Sequence, residues 1–400
     1  MSLLPVEDAL AAILARVPPV EPETVPLAAA IGRVLARPLL ATHDQPPFDA
    51  SAMDGYALRA ADVTHDAWLD VVGTAQAGAG FAGAIGPGQA VRIFTGAPLP
   101  DGADTVIMQE EAVRDGAKVR FTVPARPGHS VRLRGNDFTV GQRLAEAGMR
   151  LGPMQVAMAA AANQAELALA RRPHIALVAT GDELVPPGTP LGPGQIVASN
   201  SFGLSALLAP YAETLADHGI LADDSTLLQA RFGDIFAQEP DILVTTGGAS
   251  VGEHDLVQAT LKALGVQLDF WRINMRPGKP LMFGTHGRTL VFGLPGNPVS
   301  AMVTAIVFIL PALRHWLGAP EPARWRLPLT APLPANSARR HFMRATLVQR
   351  PEGPALAPIA QTDSGHTSSL ARADMLIVQP EHDPGQPAGA CVEALSMNAF

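Results

Sequence analysis

The chain has 400 residues, a formal net charge of −8, 48% hydrophobic and 16% charged residues. That is a globular composition with material for roughly two to four cores, and its acidity argues against general attraction to nucleic acid or to an anionic membrane. One cysteine, Cys391, and scattered histidines exclude a disulfide framework and a Cys-based zinc site within one chain.

Met1–Asp8 has neither the basic residues nor the apolar run of a signal peptide. Val6 to Val17 reads as an amphipathic helix with Leu10, Ile13, Leu14 and Val17 on one face, ended by Pro18-Pro19, and a second short helix is expected around Ala28–Ile31. Phe48–Tyr56 then gathers Asp49, Ser51, Asp54 and Tyr56. From about Ser51 to Val131, β-branched runs at Val71-Val72, Val91–Phe94, Val106–Met108 and Val119–Phe121 alternate with Gly and Pro turns, the texture of a small all-β domain. Inside it, Gly78-Ala79-Gly80-Phe81-Ala82-Gly83 imitates a dinucleotide motif, but Gly86-Pro87-Gly88 breaks the helix that motif requires. Thr95–Asp104 is a turn with spare hydroxyl and carboxylate groups, and Arg134–Asp137 adds Asp137. Gly152-Pro153 opens a helix over Met154–Ala162, and Arg171-Arg172-Pro173 marks a boundary.

Beyond it the pattern turns α/β. Strands are expected at His174–Ala179, Asp241–Thr245 and Thr289–Phe292, with a weaker one at Gly219–Ala222; helices are expected at Phe202–His218, Leu256–Leu264 and from Pro298. Apolar strands without alternation, separated by helices, indicate a mostly parallel sheet covered by helices. The run Val299–Leu313, at roughly 15 residues, is short for a membrane span and suits a buried helix; a soluble cytoplasmic protein is expected. After a Pro-rich connector, Gly318–Pro334, strands at Arg344–Leu347, Met375–Val378 and Ala390–Ala394 suggest a second β-domain.

Chemistry concentrates where the apolar strands end. Thr245–Gly252 carries Gly247, Gly248, Ser250 and Gly252, whose backbone N–H groups and hydroxyl suit a phosphate without help from lysine. Gly293–Ser300 is strand, tight turn and helix, with Asn297 as N-cap, Pro298 in the first turn, and free N–H groups directed at the same sheet edge. Thr180-Gly181-Asp182-Glu183 brings two carboxylates to another strand end, and Asp223-Asp224 to a further one; magnesium binds through few carboxylates plus substrate oxygens. Arg276 and Lys279 flank a Pro-Gly turn and could hold a phosphate or oxyanion.

Together, Phe48–Tyr56, Phe94–Glu110, Thr180–Leu184, Thr246–Asp255, Arg276–Phe283, Gly293–Ser300 and the tail Thr367–Val378 resemble the molybdopterin molybdenumtransferase family, also seen as the E domain of gephyrin. The resemblance implies an enzyme that inserts molybdate into adenylylated molybdopterin with release of AMP, assisted by Mg2+. It implies an elongated homodimer whose sites are shared between one chain's α/β domain and the other's N-terminal half. The implied domains are 1–49 with 132–171 (linker and dimerisation), 50–131 (inserted β-domain), 172–318 (molybdopterin-binding α/β domain) and 319–400 (C-terminal β-barrel-like domain). By the same resemblance, Asp54, Glu183, Asp223 and Asp255 are catalytic, and Asp54, Asp137, Glu183 and Asp223 bind metal. Thr95, Gly247, Gly248, Ser250, Gly252, Arg276, Lys279, Pro295, Asn297, Pro298, Arg344 and Ser369 bind substrate. Ala50, Asn136, Ala249 and Arg276 depart from the family's usual Asn, Glu, Val and Lys. Transient contact with a molybdopterin adenylyltransferase and with molybdoenzyme-maturation proteins is expected, and none with nucleic acid or membrane. Two alternatives stay open: a molybdopterin adenylyltransferase, against which the 49–56 and 94–110 motifs and the C-terminal β-domain argue, and a non-catalytic pterin-binding dimeric scaffold.

Overall fold

The structure, a computed structural model, describes residues 3–247 and 256–397. By their internal contacts these fall into two compact units: Met1–Glu23, Gly148–Arg150 and Leu169–Phe400 form one, and Thr24–Ala147 with Leu151–Ala168 the other.

The larger unit is built on a six-stranded sheet. Its spatial order is Thr214–Leu221, His174–Thr180, Ile242–Thr246, Thr289–Leu294, Pro280–His286 and Gln267–Arg272. The first four strands run parallel and Pro280–His286 runs antiparallel to both its neighbours, so the sheet is mixed. His174–Thr180, Ile242–Thr246 and Thr289–Leu294 are buried almost throughout, as central strands covered on both faces must be. On one face, helices Ser225–Phe236 and Leu256–Ala263 bury Leu228, Phe232 and Leu261 against Val178, Leu243 and Val291. On the other, helix Asn200–Leu208 packs on the His174–Thr180 strand and on the helix that starts at Pro298. That last helix, Pro298–Leu317, is long and apolar enough to cross a membrane, but 83% of it is buried inside the fold, where it acts as a core helix.

The expected helix over Phe202–His218 is wrong in its second half. The helix ends at Leu208, Ala209–Tyr211 makes one 3-10 turn, and Thr214–Leu221 is a strand. Pro210 cannot continue a helix in its interior. Of this strand only the end is expected from the sequence, as the weaker stretch Gly219–Ala222, because it lies at the sheet edge, where Asp217 and Gly219 face solvent and interrupt any apolar run. Strands Gln267–Arg272 and Pro280–His286 add to those expected from the sequence.

In the same unit, Trp325–Pro328, Arg340–Arg350, Gly353–Pro358, Met375–Gln379 and Cys391–Ser396 form a C-terminal sheet over a core that includes Leu329, Met343, Leu356 and Ile377. A bridge between Leu329 and Leu356 brings its two ends together. Met275–Arg276 joins this sheet beside Arg340-His341.

The smaller unit carries a six-stranded sheet in the order Thr105–Met108, Gly55–Leu58, Gln89–Ile93, Leu69–Ala75, Lys118–Phe121 and Ala112–Asp115. All four β-branched runs read from the sequence lie in it. Helix Pro153–Ala161, also in this unit, matches the expected one, and the short helix near Ala28 is a single 3-10 turn, Leu27–Ala29.

At the amino edge of the parallel sheet, Arg171 grips Asp241 with two N–H···O bonds of 2.9 Å, reaches Glu21 at 3.0 Å, and lies over the Trp316 ring. Burial alone would raise the Asp241 pKa, but hydrogen bonds from Arg171 and the His174 backbone overcome it and hold the carboxyl below its ordinary value. A depressed carboxylate pKa stabilises the fold above the unfolded pKa and loses that contribution as pH falls. Arg171→Met should therefore cost roughly 2–3 kcal/mol in urea unfolding at neutral pH, as expected for orphaning a partly buried carboxylate. The difference from wild type should shrink as the pH falls below about 4.

Candidate functional site

Strand register decides what meets at the carboxyl edge of the larger unit's sheet. Ala179 pairs with Thr246, Thr246 with Leu294, and Thr180 with Leu221. The chain therefore leaves four adjacent strands at Gly181, Ala222, Gly247 and Pro295 on one side, the usual ligand position of an open α/β sheet. A cleft of about 440 Å³ opens there, lined among others by Gly181, Glu183, Asp223, Gly247, Pro280, Pro295, Asn297 and Pro298. Gly247 has φ +89°, and a β-carbon on it would lie 2.2 Å from the Thr180 carbonyl oxygen, so no other residue fits this strand end.

Glu183 and Asp223 supply the acid in the cleft. The neighbouring Asp182 has a holding role: its Oδ1 accepts the Asp223 backbone N–H at 2.9 Å. Burial first, and then the charges of Asp182 and Glu183, raise the Asp223 pKa. Crowded carboxylates of this kind are relieved by a cation. Among the described residues no group of three or more His, Cys, Asp or Glu is placed to hold a metal. Two carboxylates on a cleft suit magnesium, which takes its remaining ligands from water and phosphate oxygens.

The helix start is organised differently from the expectation. Asn297 precedes the first turn, yet its side chain makes no cap. Its Nδ2 donates instead to Ser364 Oγ at 2.9 Å, and the Val299 N–H donates to the Ser364 carbonyl at 3.0 Å. At least one of the donors thought free is thus taken by a loop of the C-terminal sheet region. Asn200, unread as a site residue, donates from Nδ2 to the Gly296 carbonyl at 2.7 Å and so ties the Gly-Pro turn to the opposite wall. Ser199, Asn200, Ser201 and Ser300 all line the cleft; the Ser-Asn pair starts the helix two residues before the expected Phe202.

The cationic residues lie elsewhere in the same unit. Neither Arg276 nor Lys279 lines the cleft, although Pro280 does. Arg276 donates to Asn336 Oδ1 at 2.9 Å, and burial, reinforced by Arg339, lowers its pKa. Arg344 is buried and donates to Ser369 Oγ at 2.6 Å and to the carbonyls of Gln361 and Asp363; burial lowers its pKa too. Near them, burial and then the Arg276 charge push His341 down to about 4, so it is neutral at physiological pH. This makes a second, positive region beside the C-terminal sheet.

In the smaller unit, the Asp54 Oδ1 accepts both the backbone N–H and the hydroxyl of Thr95, each at 2.7 Å. Those two bonds lower the Asp54 pKa, with help from the Arg92 charge. Thr95 thus spends its hydroxyl hydrogen on Asp54. Asp137 is exposed, and its side chain makes no hydrogen bond or ion pair among the described residues. Gly248, Ser250, Gly252 and Asp255 lie outside the described residues.

A raised carboxylate pKa means that the charged form weakens the fold, and that the penalty disappears as protonation sets in. Asp223→Asn should accordingly raise the melting temperature at neutral pH while impairing turnover, and the gain should vanish near pH 4, which differential scanning calorimetry can follow.

Three family models match the chain: the MoeA N-terminal region (domains I and II) over residues 4–163, a probable molybdopterin binding domain over 176–315, and the MoeA C-terminal region (domain IV) over 326–397. A molybdopterin molybdenumtransferase from Nostoc sp. is 40% identical over 73% of this chain and 69% of its own length. One from Bacillus subtilis is 33% identical over 98% and 94%. The crystal structure of the molybdopterin biosynthesis MoeA protein from Pyrococcus horikoshii superposes with a TM-score of 0.85 at 31% identity, covering 99% of both chains.

Proposed function

The chain belongs to the molybdopterin molybdenumtransferase family, and on that premise we propose that its carboxyl-edge cleft binds adenylylated molybdopterin, from which AMP leaves as molybdate joins the dithiolene. It is a transferase of molybdenum-cofactor synthesis. The carrying observation is the meeting of Glu183 and Asp223 with the Gly247 strand end in one cleft. The glycine strand end offers backbone donors to a phosphate, and Pro280, Pro295 and Pro298 offer rigid apolar walls to a flat ring system.

The organometallic step belongs to the cofactor, while the chain supplies orientation and charge. Glu183 and Asp223, with Asp54 and Asp137 as further candidates, would hold magnesium, which when bound neutralises phosphate and molybdate oxygens. Asn200 keeps the Gly296 turn in place against the cleft, and Asp54 remains ionised under the two Thr95 donors. Arg344 and Ser369, already bonded to each other, form the oxyanion-binding pair of the same reading.

A homodimer is part of the proposal. Asp54 and the Glu183–Asp223 pair belong to separate compact units, and the smaller unit exposes Val140 and Met154 at 63% and 76%. Such single exposed apolar side chains are ordinary on a protein surface, so the homodimer rests on the family to which the chain belongs. The lone, exposed Cys391 accords with action in the reducing cytoplasm. Handover from an adenylyltransferase and delivery to molybdoenzyme-maturation proteins complete the reading.

The test is AMP release from adenylylated molybdopterin with and without molybdate and magnesium. Release should require both, and Asp54→Ala and Glu183→Ala should each reduce it by at least roughly a hundredfold while unfolding like wild type. Near-normal turnover in both variants would remove the assignment.

A further inference from the structure

Arg92, so far only a charge that helps to keep Asp54 ionised, bonds the residues that flank Asp54. It lies in strand Gln89–Ile93, opposite Tyr56 in the register, with Gly55 opposite Ile93. Its Nη1 donates to the Gly55 carbonyl at 2.6 Å and its Nη2 to Gln109 Oε1. The guanidinium carbon lies 5.2 Å from the Tyr56 ring centroid and 4.7 Å from that of Phe94. Gln109 returns the connection, since its backbone N–H donates to the Asp54 carbonyl at 3.1 Å. One planar group therefore ties together the segment 54–56, the strand end leading to Thr95, and the residue that grips the Asp54 backbone.

The result is directional. Asp54 Oδ1 takes both Thr95 bonds, whereas Oδ2 has no partner among the described residues and the side chain is exposed. Gly55 cannot yield, because a β-carbon there would lie 2.0 Å from the Ile107 carbonyl oxygen, so Asp54 leaves the central strand at a fixed point. We propose that Arg92 is a positioning residue for molybdenum insertion, holding the Asp54–Gly55 and Phe94–Thr95 segments in the one arrangement that commits Oδ1 to Thr95 and turns Oδ2 outward to the reaction. The inference rests on the reading of Asp54 as a site residue. A lysine could not replace this arginine: its point charge cannot serve two acceptors in a fixed fork while staying close to two rings.

The experiment measures kcat and KM for adenylylated molybdopterin in molybdate-dependent AMP release. It compares wild type, Arg92→Ala and Arg92→Lys, each also carrying Asp54→Ala and then followed under single-turnover conditions. Arg92→Ala should lower kcat roughly 10- to 100-fold, the scale of a displaced catalytic carboxylate, and leave KM within about twofold. Arg92→Lys should recover little of that loss, and it replaces the alanine variant if that one does not fold. In the Asp54→Ala background the Arg92 change should cost less than about threefold more, because a residue acting through Asp54 has nothing left to act through. Equal losses in both backgrounds, a loss in KM alone, or full recovery by lysine would overturn the proposal. Wild-type turnover by Asp54→Ala itself would instead overturn the site reading and remove the inference with it.

Discussion

The register of the four parallel strands carries everything else in the larger unit. With Ala179 beside Thr246 and Thr246 beside Leu294, the backbone turns out of the sheet in one row. A slip of one residue would exchange the side chains that face the two helical layers and move Gly247 away from the Thr180 carbonyl that only a glycine can approach. The helices on both faces hold that register by burying Phe232, Leu261 and Val291 on one side and the Pro298–Leu317 helix on the other. Each fully buried large apolar side chain contributes about 1.5–3 kcal/mol toward keeping it. The cleft is thus a by-product of core packing, and its loops need only local chemistry.

Electrostatics then divides the work. An acidic chain that handles phosphate and molybdate cannot rely on its net field, so it places attraction locally. At the cleft it crowds Asp223 with Asp182 and Glu183, an arrangement disfavoured in the bare protein and relieved by a cation. Beside the C-terminal sheet it does the reverse, burying Arg344 and half-burying Arg276 against neutral acceptors such as Asn336 and Ser369.

The central strands and most helices were legible because burial on both faces writes a continuous apolar run, as at His174–Ala179, and because proline marks helix starts, as at Pro153 and Pro298. The edge strand Thr214–Leu221 was legible only at its end, as the weaker stretch Gly219–Ala222: half its side chains face water, so its first part carries no strand signal, and only Pro210 warned that the preceding helix had ended. Glu183, Gly247 and Pro295 could be expected in one place because all follow apolar strands, whereas Asp223 followed only the weaker stretch Gly219–Ala222. The directions of Asn297, Arg276 and Thr95 could not, since each bonds a residue distant in sequence, namely Ser364, Asn336 and Asp54. Arg92 was invisible for the same reason: nothing in its neighbours announces a guanidinium joining three segments.

The claim on which the account turns is that the cleft at Gly247 receives the nucleotide-bearing phosphate beside Glu183 and Asp223. A crystal structure of the protein soaked with AMP and magnesium tests it most directly. The account predicts AMP phosphate oxygens within hydrogen-bonding distance of the Gly247 backbone, with a magnesium ion about 2.1 Å from an oxygen of Glu183 or Asp223. Well-defined AMP bound elsewhere on the chain, with this cleft holding only solvent, would contradict it.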